Sequence, residues 1–353
     1  MTVYKGIGVM SGTSLDGIDI AFCEFLEENS RWKYSICNAE TLPYSDILKN
    51  TLANLETSSA LDFALTHKEY GHYLGKHITD FIVRNNIIPE FVASHGHTIF
   101  HQPERKLTFQ IGDGAAIAAE CRLPVVCDFR SLDVSMGGQG APLVPIGDKI
   151  LFNEFDFCLN LGGFANISYD KNNVRIAHDI CPVNIVMNSL TRTVGKEFDF
   201  SGELASKGKI NTDLLNEINQ LEFYHLNAPK SLGKEWVLKY FMPVLDRYEI
   251  YLEDKLATIC EHIAFQIAVV VISSDSSKKM LVTGGGAYNK FLMSRISTLS
   301  KCEVIIPDSK TVEYKEALIF AFLGLLRLNK QVNCLKSVTG AECDNVGGAI
   351  YLG

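Results

Sequence analysis

Apolar residues alternate or run together with β-branched and aromatic neighbours over residues 3–9, 18–25 and 32–42, which predicts three successive strands. Tyr70, Leu74, Ile78 and Phe81 recur at helical spacing, so 62–85 reads as an amphipathic helix. A strand ending at "VASHGH", a strand "LTFQIG", a helix "GAAIAAECR" and a strand "PVVCDF" follow. Strands with interposed helices in this order imply an α/β domain with a largely parallel core. Near residue 150 the plan restarts. "DFCLNLGGFANISYD" (156–170) is strand, Gly-Gly turn, strand, and "VRIAHDI" is a third strand. Leu252, Leu256, Ile259, Ile263 and Ile267 then mark a long helix, and "MLVTGGGAYN" gives a strand, a triple glycine and a helix. "CEVIIP" is another strand, and an apolar helix covers 314–328. The pattern therefore predicts two similar halves, each opening on a hairpin. Such hairpins could clamp a nucleotide's phosphates from both sides, with adenosine on the third glycine turn.

Composition narrows the class of protein. With 353 residues, 47% of them hydrophobic, the chain can fill two cores. A net charge of -8 offers no basic face for a phosphate backbone, so nucleic acid is excluded as a partner. The ten cysteines form no CxxC, and Cys23, Cys127 and Cys158 lie in apolar runs, as expected of reduced thiols in a cytoplasmic protein. The runs "IAFQIAVVVI" and "ALIFAFLGLL" are about half a membrane span, and the N-terminus lacks a charged n-region, so no membrane association is expected.

Three stretches carry candidate chemistry. In "SGTSLDG", glycines let backbone amides approach phosphate oxygens while Ser11, Thr13 and Ser14 add donors. Asp16 beside phosphates points to Mg²⁺ held through water; an Asx-type turn residue satisfying its own backbone serves equally well at this stage. In "DFRSLDVSMGGQGAPLVP" (128–145) a polar, Gly-rich loop follows a strand end, where open α/β sheets place ligands, and Arg130 with Asp133 is the reactive pair. Turn formation by Asp128 and Asp133, with Arg130 as a surface partner, is the plain alternative. In "SHGHTIFHQP", His95, His97 and His101 could bind zinc as in a hydrolase, although no HExxH or HxxEH helix accompanies them. One histidine touching substrate, with the others satisfying local backbone, is the simpler expectation.

The motifs "GVMSGTSLDGID", "SHGHT", "FQIGDGAAIA", "DFRSLDVSMGGQGAPLVP", "LNLGGFANIS", "GELASKG", "VTGGGAYN", "EALIFAF" and "SVTGA" occur in order from Gly8 to Ala341. Together they resemble the anhydro-N-acetylmuramic acid kinases over essentially the whole chain. The resemblance implies an α/β protein of two actin-like (ribonuclease H-like) domains with a nucleotide cleft between them. Residues 1–150 would form the first domain and 151–353 the second, with room for the last helix and tail to pack back on the first. It further implies a cytoplasmic homodimer that uses ATP, Mg²⁺ and water to make N-acetylmuramic acid 6-phosphate from the 1,6-anhydro sugar. Carried over by motif, Gly12, Thr13, Ser14, Leu15, Asp16, Gly17, Ile18 and Asp19 form the first phosphate loop. Gly162, Gly163 and Asn166 belong to the second hairpin, and Gly284, Gly285 and Gly286 to the adenosine turn. Asp133 is the catalytic carboxylate, Glu316 a sugar-binding glutamate, and His95, Arg130 and Gln139 further substrate contacts. Without the family, Glu316 reads as a first-turn helix charge favoured by the macrodipole. Two departures stand out. "DICPVN" (179–184) replaces the common "DTGPGN", and His97 stands where "SHGQT" has Gln. The first of these is the support for a rival reading, a non-catalytic sugar or nucleotide sensor of the same fold.

Overall fold

The computed structural model describes residues 2–12, 15–29, 31–271 and 277–353. The chain divides into two compact units, Met1–Leu151 with Tyr314–Gly353, and Phe152–Glu313. The second domain expected at 151–353 therefore ends at Glu313, and the segment from Tyr314 onward groups with the first unit.

In the first unit, β1 (Val3–Met10), β2 (Gly17–Glu28) and β3 (Arg31–Pro43) form an antiparallel meander. β4 (Phe91–Ser94) joins β1 in parallel. β5 (His97–Gln102) and β6 (Leu107–Ile111) form a separate two-stranded ribbon. β7 (Val125–Cys127) extends the main sheet in parallel beyond β4. In the second unit, β8 (Phe157–Leu161), β9 (Phe164–Lys171) and β10 (Val174–Pro182) repeat the meander. β11 (Lys279–Thr283) and β12 (Glu303–Ile305) repeat the parallel extension. β13 (Ala349–Tyr351) returns to the first sheet antiparallel to β7. The orders β3-β2-β1-β4-β7 and β10-β9-β8-β11-β12 are the same plan with the same strand senses. This is an α/β fold of the actin and sugar-kinase type. Its sheets are half antiparallel, not largely parallel as the pattern suggested, because two-residue and longer hairpins join the first three strands of each.

Ile7, Val9, Ile18 and Ile20 pack one face of the first sheet against Tyr70, Leu74, Ile78 and Phe81 of helix Ala60–Asn85. The other face meets helix Ser309–Leu328, where Phe322 packs on Phe25 and Trp32 at ring distances of 5.4 and 5.3 Å. Gly8 permits that contact, since any Cβ there would run into the carbonyl of Ala317. The strand leading to the first turn and the helix bearing Glu316 are thereby held in backbone contact. Lys315 and Asp148 form a buried ion pair at 2.8 Å that fixes the same helix to helix Val144–Leu151. Among the described residues, no helix is long and apolar enough to cross a membrane.

The core of the second unit surrounds helix Leu252–Val271 and contains one fully buried imidazole. His262 Nδ1 lies 2.6 Å from Asn219 Oδ1 and Nε2 lies 2.9 Å from the Tyr224 hydroxyl. Nδ1–H donates to the amide oxygen and Nε2 accepts from the phenol, which is the neutral form. Burial pushes its pKa down to about 3. A depressed pKa contributes stability above the ordinary value, lost as pH falls from about 6.5 toward 3. Urea unfolding across that range should therefore include a one-proton slope of ~1.4 kcal/mol per pH unit. The variant His262→Gln should lack it; an identical pH slope in the variant would remove His262 as its source.

Candidate active site

The first turn begins where β1 and β2 separate at the pair Met10 and Asp19. Gly12 O accepts the Leu15 N–H at 3.3 Å, and Leu15 sits at a φ of 60°. Thr13 and Ser14, the expected hydroxyl donors, lie outside the described residues. Ile18 is fully buried in the core, so only its backbone could serve a ligand. Asp16 is exposed on the turn, as a carboxylate holding a cation through water must be. Asp19 is half-buried, and its Oδ1 accepts from the Thr41 hydroxyl at 2.6 Å.

Arg130 and His95 do come together. The Arg130 Nε and Nη2 lie 3.0 and 2.8 Å from His95 Nε2, and Nη1 donates to Gly140 O at 2.5 Å. His95 Nδ1 is 2.9 Å from Gly96 O, so the imidazole donates there and accepts from the guanidinium. Burial, then the Arg130 charge, hold His95 well below its ordinary pKa. Burial lowers Arg130 only to about 10, so it stays charged. His95 was expected to contact substrate, but both of its nitrogens are committed. It orients Arg130, leaving that side chain two N–H groups for a ligand.

Asp133 was expected to be the base, and its surroundings argue otherwise. The side chain is wholly buried in the short helix Ser131–Ser135. Oδ1 accepts from the Thr339 hydroxyl (2.8 Å), Asn345 Nδ2 (2.9 Å) and the Cys334 thiol (3.1 Å), while Oδ2 accepts from Gly140 N–H (2.8 Å). A base needs a lone pair within reach of water at the substrate, and here both oxygens are occupied inside protein. The geometry is that of an anchor. It fixes Gly140, whose carbonyl in turn fixes Arg130. Gln139 is exposed on the same loop, its N–H bonded to Thr339 O at 2.8 Å.

Two other carboxyl groups have the opposite character. Burial raises Glu316, with Lys315 and Arg130 opposing and Asp19 and Asp148 reinforcing that shift. Burial also raises Asp179, against the Leu232 N–H that its Oδ2 accepts at 2.8 Å. Among the described residues these are the two carboxyls pushed upward. Both are half-buried. A cavity of about 160 Å³ at the ends of β4 and β7 is lined by Ser94, His95, Gln110, Asp128 and Ser131, among others. Gln110 Oε1 is buried without a partner.

In the second unit, the Gly162–Gly163 turn caps the helix that follows β10. Gly163 O accepts from Val183 N–H at 2.8 Å, and Gly162 O from Asn184 N–H at 3.3 Å. The substitutions in "DICPVN" thus leave a well-bonded junction. Asn166 is exposed on β9. Gly284, at a φ of 81°, has no room for a Cβ against Leu161 O and Asn160, whereas Gly285 is exposed and a Cβ there would meet only Asn184 Nδ2, at 3.8 Å. Gly286 packs on Leu161. The triple glycine therefore follows β11 tightly and leaves Gly285 as its free backbone. Both glycine turns lie at the carboxyl ends of the neighbouring parallel strands β8 and β11.

The zinc reading finds no support. His95 has no free nitrogen, His97 Nδ1 lies 3.0 Å from the Ser11 hydroxyl, and His101 Nδ1 lies 3.2 Å from that of Thr108. No group of three or more His, Cys, Asp or Glu among the described residues could hold a metal ion.

Sequence reasoning missed the Asp133 anchor because three of its four partners lie 201 to 212 residues away. The raised carboxyl of Asp179 has no local signature, since its burial and its Leu232 N–H partner come from residue contacts distant in sequence.

The family model described as anhydro-N-acetylmuramic acid kinase matches residues 4–353. A protein of that name from Francisella tularensis subsp. novicida is 34% identical over 380 residues, covering 99% of both chains. One from Pasteurella multocida is 35% identical over 371 residues, covering 99% of this chain and 97% of its own.

Proposed function

The chain belongs to the anhydro-N-acetylmuramic acid kinase family, and from that premise we propose how its residues carry the reaction. The enzyme opens 1,6-anhydro-N-acetylmuramic acid and phosphorylates O6, with ATP as donor, giving the 6-phosphate used in cell-wall recycling. The anhydro bridge joins C1 to O6, so O6 has no proton to give up. Water must therefore add at C1 while O6 leaves toward the γ-phosphorus, and a base must take the water's proton.

That base has to be a carboxyl reachable by solvent and more basic than usual. Asp179 and Glu316 answer the description and Asp133 does not. Asp133 instead sets Gly140, and through it Arg130, whose two remaining N–H groups suit the lactyl carboxylate of the sugar. The amides of residues 12–17 spread the charge of the transferring phosphate, which is most of what phosphoryl transfer asks of a protein. Gly285 offers backbone to the adenosine. Asp16, exposed on the turn, would hold Mg²⁺ through water, and the ion would shield the phosphate charges when bound. A cytoplasmic homodimer completes this reading, and gel filtration at twice the chain mass checks it.

The observation that carries the proposal is the pair of raised, half-buried carboxyls on a fold that ends matching strands in glycine turns. The test is incubation with ATP, Mg²⁺ and the anhydrosugar in ¹⁸O-water. One ADP per sugar phosphate is expected, with label at C1 and none in the phosphate. Sugar opening without ATP, as a zinc hydrolase would give, or ADP release without sugar phosphate, overturns it.

A further inference from the structure

A chain of buried polar groups runs from the core of the first unit to the start of the first turn. Tyr70 OH is 2.6 Å from Tyr44 OH, Tyr44 OH is 2.6 Å from Ser11 Oγ, and Ser11 Oγ is 3.0 Å from His97 Nδ1. Tyr70 is 2% exposed and Tyr44 4%, so each hydroxyl proton must be placed within the protein. The hydrogens can then be assigned by counting.

If His97 Nδ1 carried a hydrogen, the four hydrogens of His97, Ser11, Tyr44 and Tyr70 would have three contacts among them. One buried hydroxyl hydrogen would then have no acceptor, which is costly whichever group bears it. With Nδ1 bare every group is served: Tyr70 donates to Tyr44, Tyr44 to Ser11, and Ser11 to His97 Nδ1. The imidazole hydrogen must then sit on Nε2. No described residue accepts from that nitrogen. Ser11 immediately precedes Gly12, so the ring stands at the mouth of the turn.

We infer that His97 is a specificity residue: a neutral imidazole, locked as the Nε2–H tautomer by the Tyr70–Tyr44–Ser11 chain, which donates one hydrogen bond to an oxygen of the substrate or nucleotide seated at the first turn. Two observations support the neutral state separately. Burial holds His97 down to about 4, and burial likewise keeps both phenols protonated. The identity of the reaction rests on the function proposed above; the tautomer does not.

The tautomer is read first, by long-range ¹H–¹⁵N correlation of ¹⁵N-histidine-labelled protein at pH 7. Hydrogen on Nε2 is expected, and hydrogen on Nδ1 overturns the assignment whatever the enzyme acts on. Tyr44→Phe removes the donor to Ser11 and should give a mixture of tautomers; an unchanged spectrum also counts against the chain. Steady-state kinetics with ATP and 1,6-anhydro-N-acetylmuramic acid then reads the donor. His97→Gln should keep both KM values within about threefold, while His97→Leu should raise one of them about tenfold with kcat much less affected. The KM that moves tells whether a phosphate or a sugar oxygen is the acceptor. If the folded Leu variant moves neither, His97 donates to no ligand and the inference fails.

Discussion

Asp133→Asn is expected to lower the unfolding free energy by about 2–4 kcal/mol, the scale for stranding buried hydrogen-bonding groups. The carboxylate accepts four hydrogen bonds from Thr339, Asn345, Cys334 and Gly140. An amide can accept through one atom only, so its NH₂ must face either the Gly140 N–H or the three donors on the other side. Either arrangement sets donor against donor in a fully buried place. The activity of the folded variant should fall less steeply than its stability, with the sugar KM rising as Gly140 and Arg130 lose their fixed positions. Urea denaturation beside kinetics separates the possibilities. Unchanged stability with kcat reduced by about 10²-fold or more would restore Asp133 as the base.

The larger effect on chemistry is expected at Asp179 and Glu316. Asp179→Asn and Glu316→Gln should each reduce kcat by about 10²–10⁴-fold, the range for removing a general acid or base. The pH profile sharpens the result. A base works when deprotonated, and burial raises both groups, so activity should climb with pH through a limb above the ordinary carboxylate range. The variant lacking the base should retain a residual rate without that limb. The other variant should keep the limb at reduced height. A variant with unaltered kcat and limb identifies a carboxyl that takes no part.

Much of the architecture was legible from periodicity. The strands of both meanders, helix Ala60–Asn85 and helix Leu252–Val271 carry long apolar patterns that tertiary context does not override. β13 was invisible, because three residues at a chain end have no period and owe their conformation to β7. The same distinction applies to the site. Glycine turns announce themselves through local backbone demands, and the triple glycine meets such a demand at Gly284. Whether a carboxylate is a base or an anchor depends on what surrounds it. A polar loop after a strand reads alike in both cases. For Asp133 the deciding groups come from the far end of the sequence, and for His95 the deciding group is Arg130.

The first unit is built from two stretches of chain separated by the whole of the second. On the ribosome, residues 152–313 can emerge and pack while residues 1–151 still lack a helix, a strand and the donors for a buried charge. Synthesis from the N-terminus thus makes the inserted half the first able to finish, with the nascent first half held open until Asn345 leaves the exit tunnel.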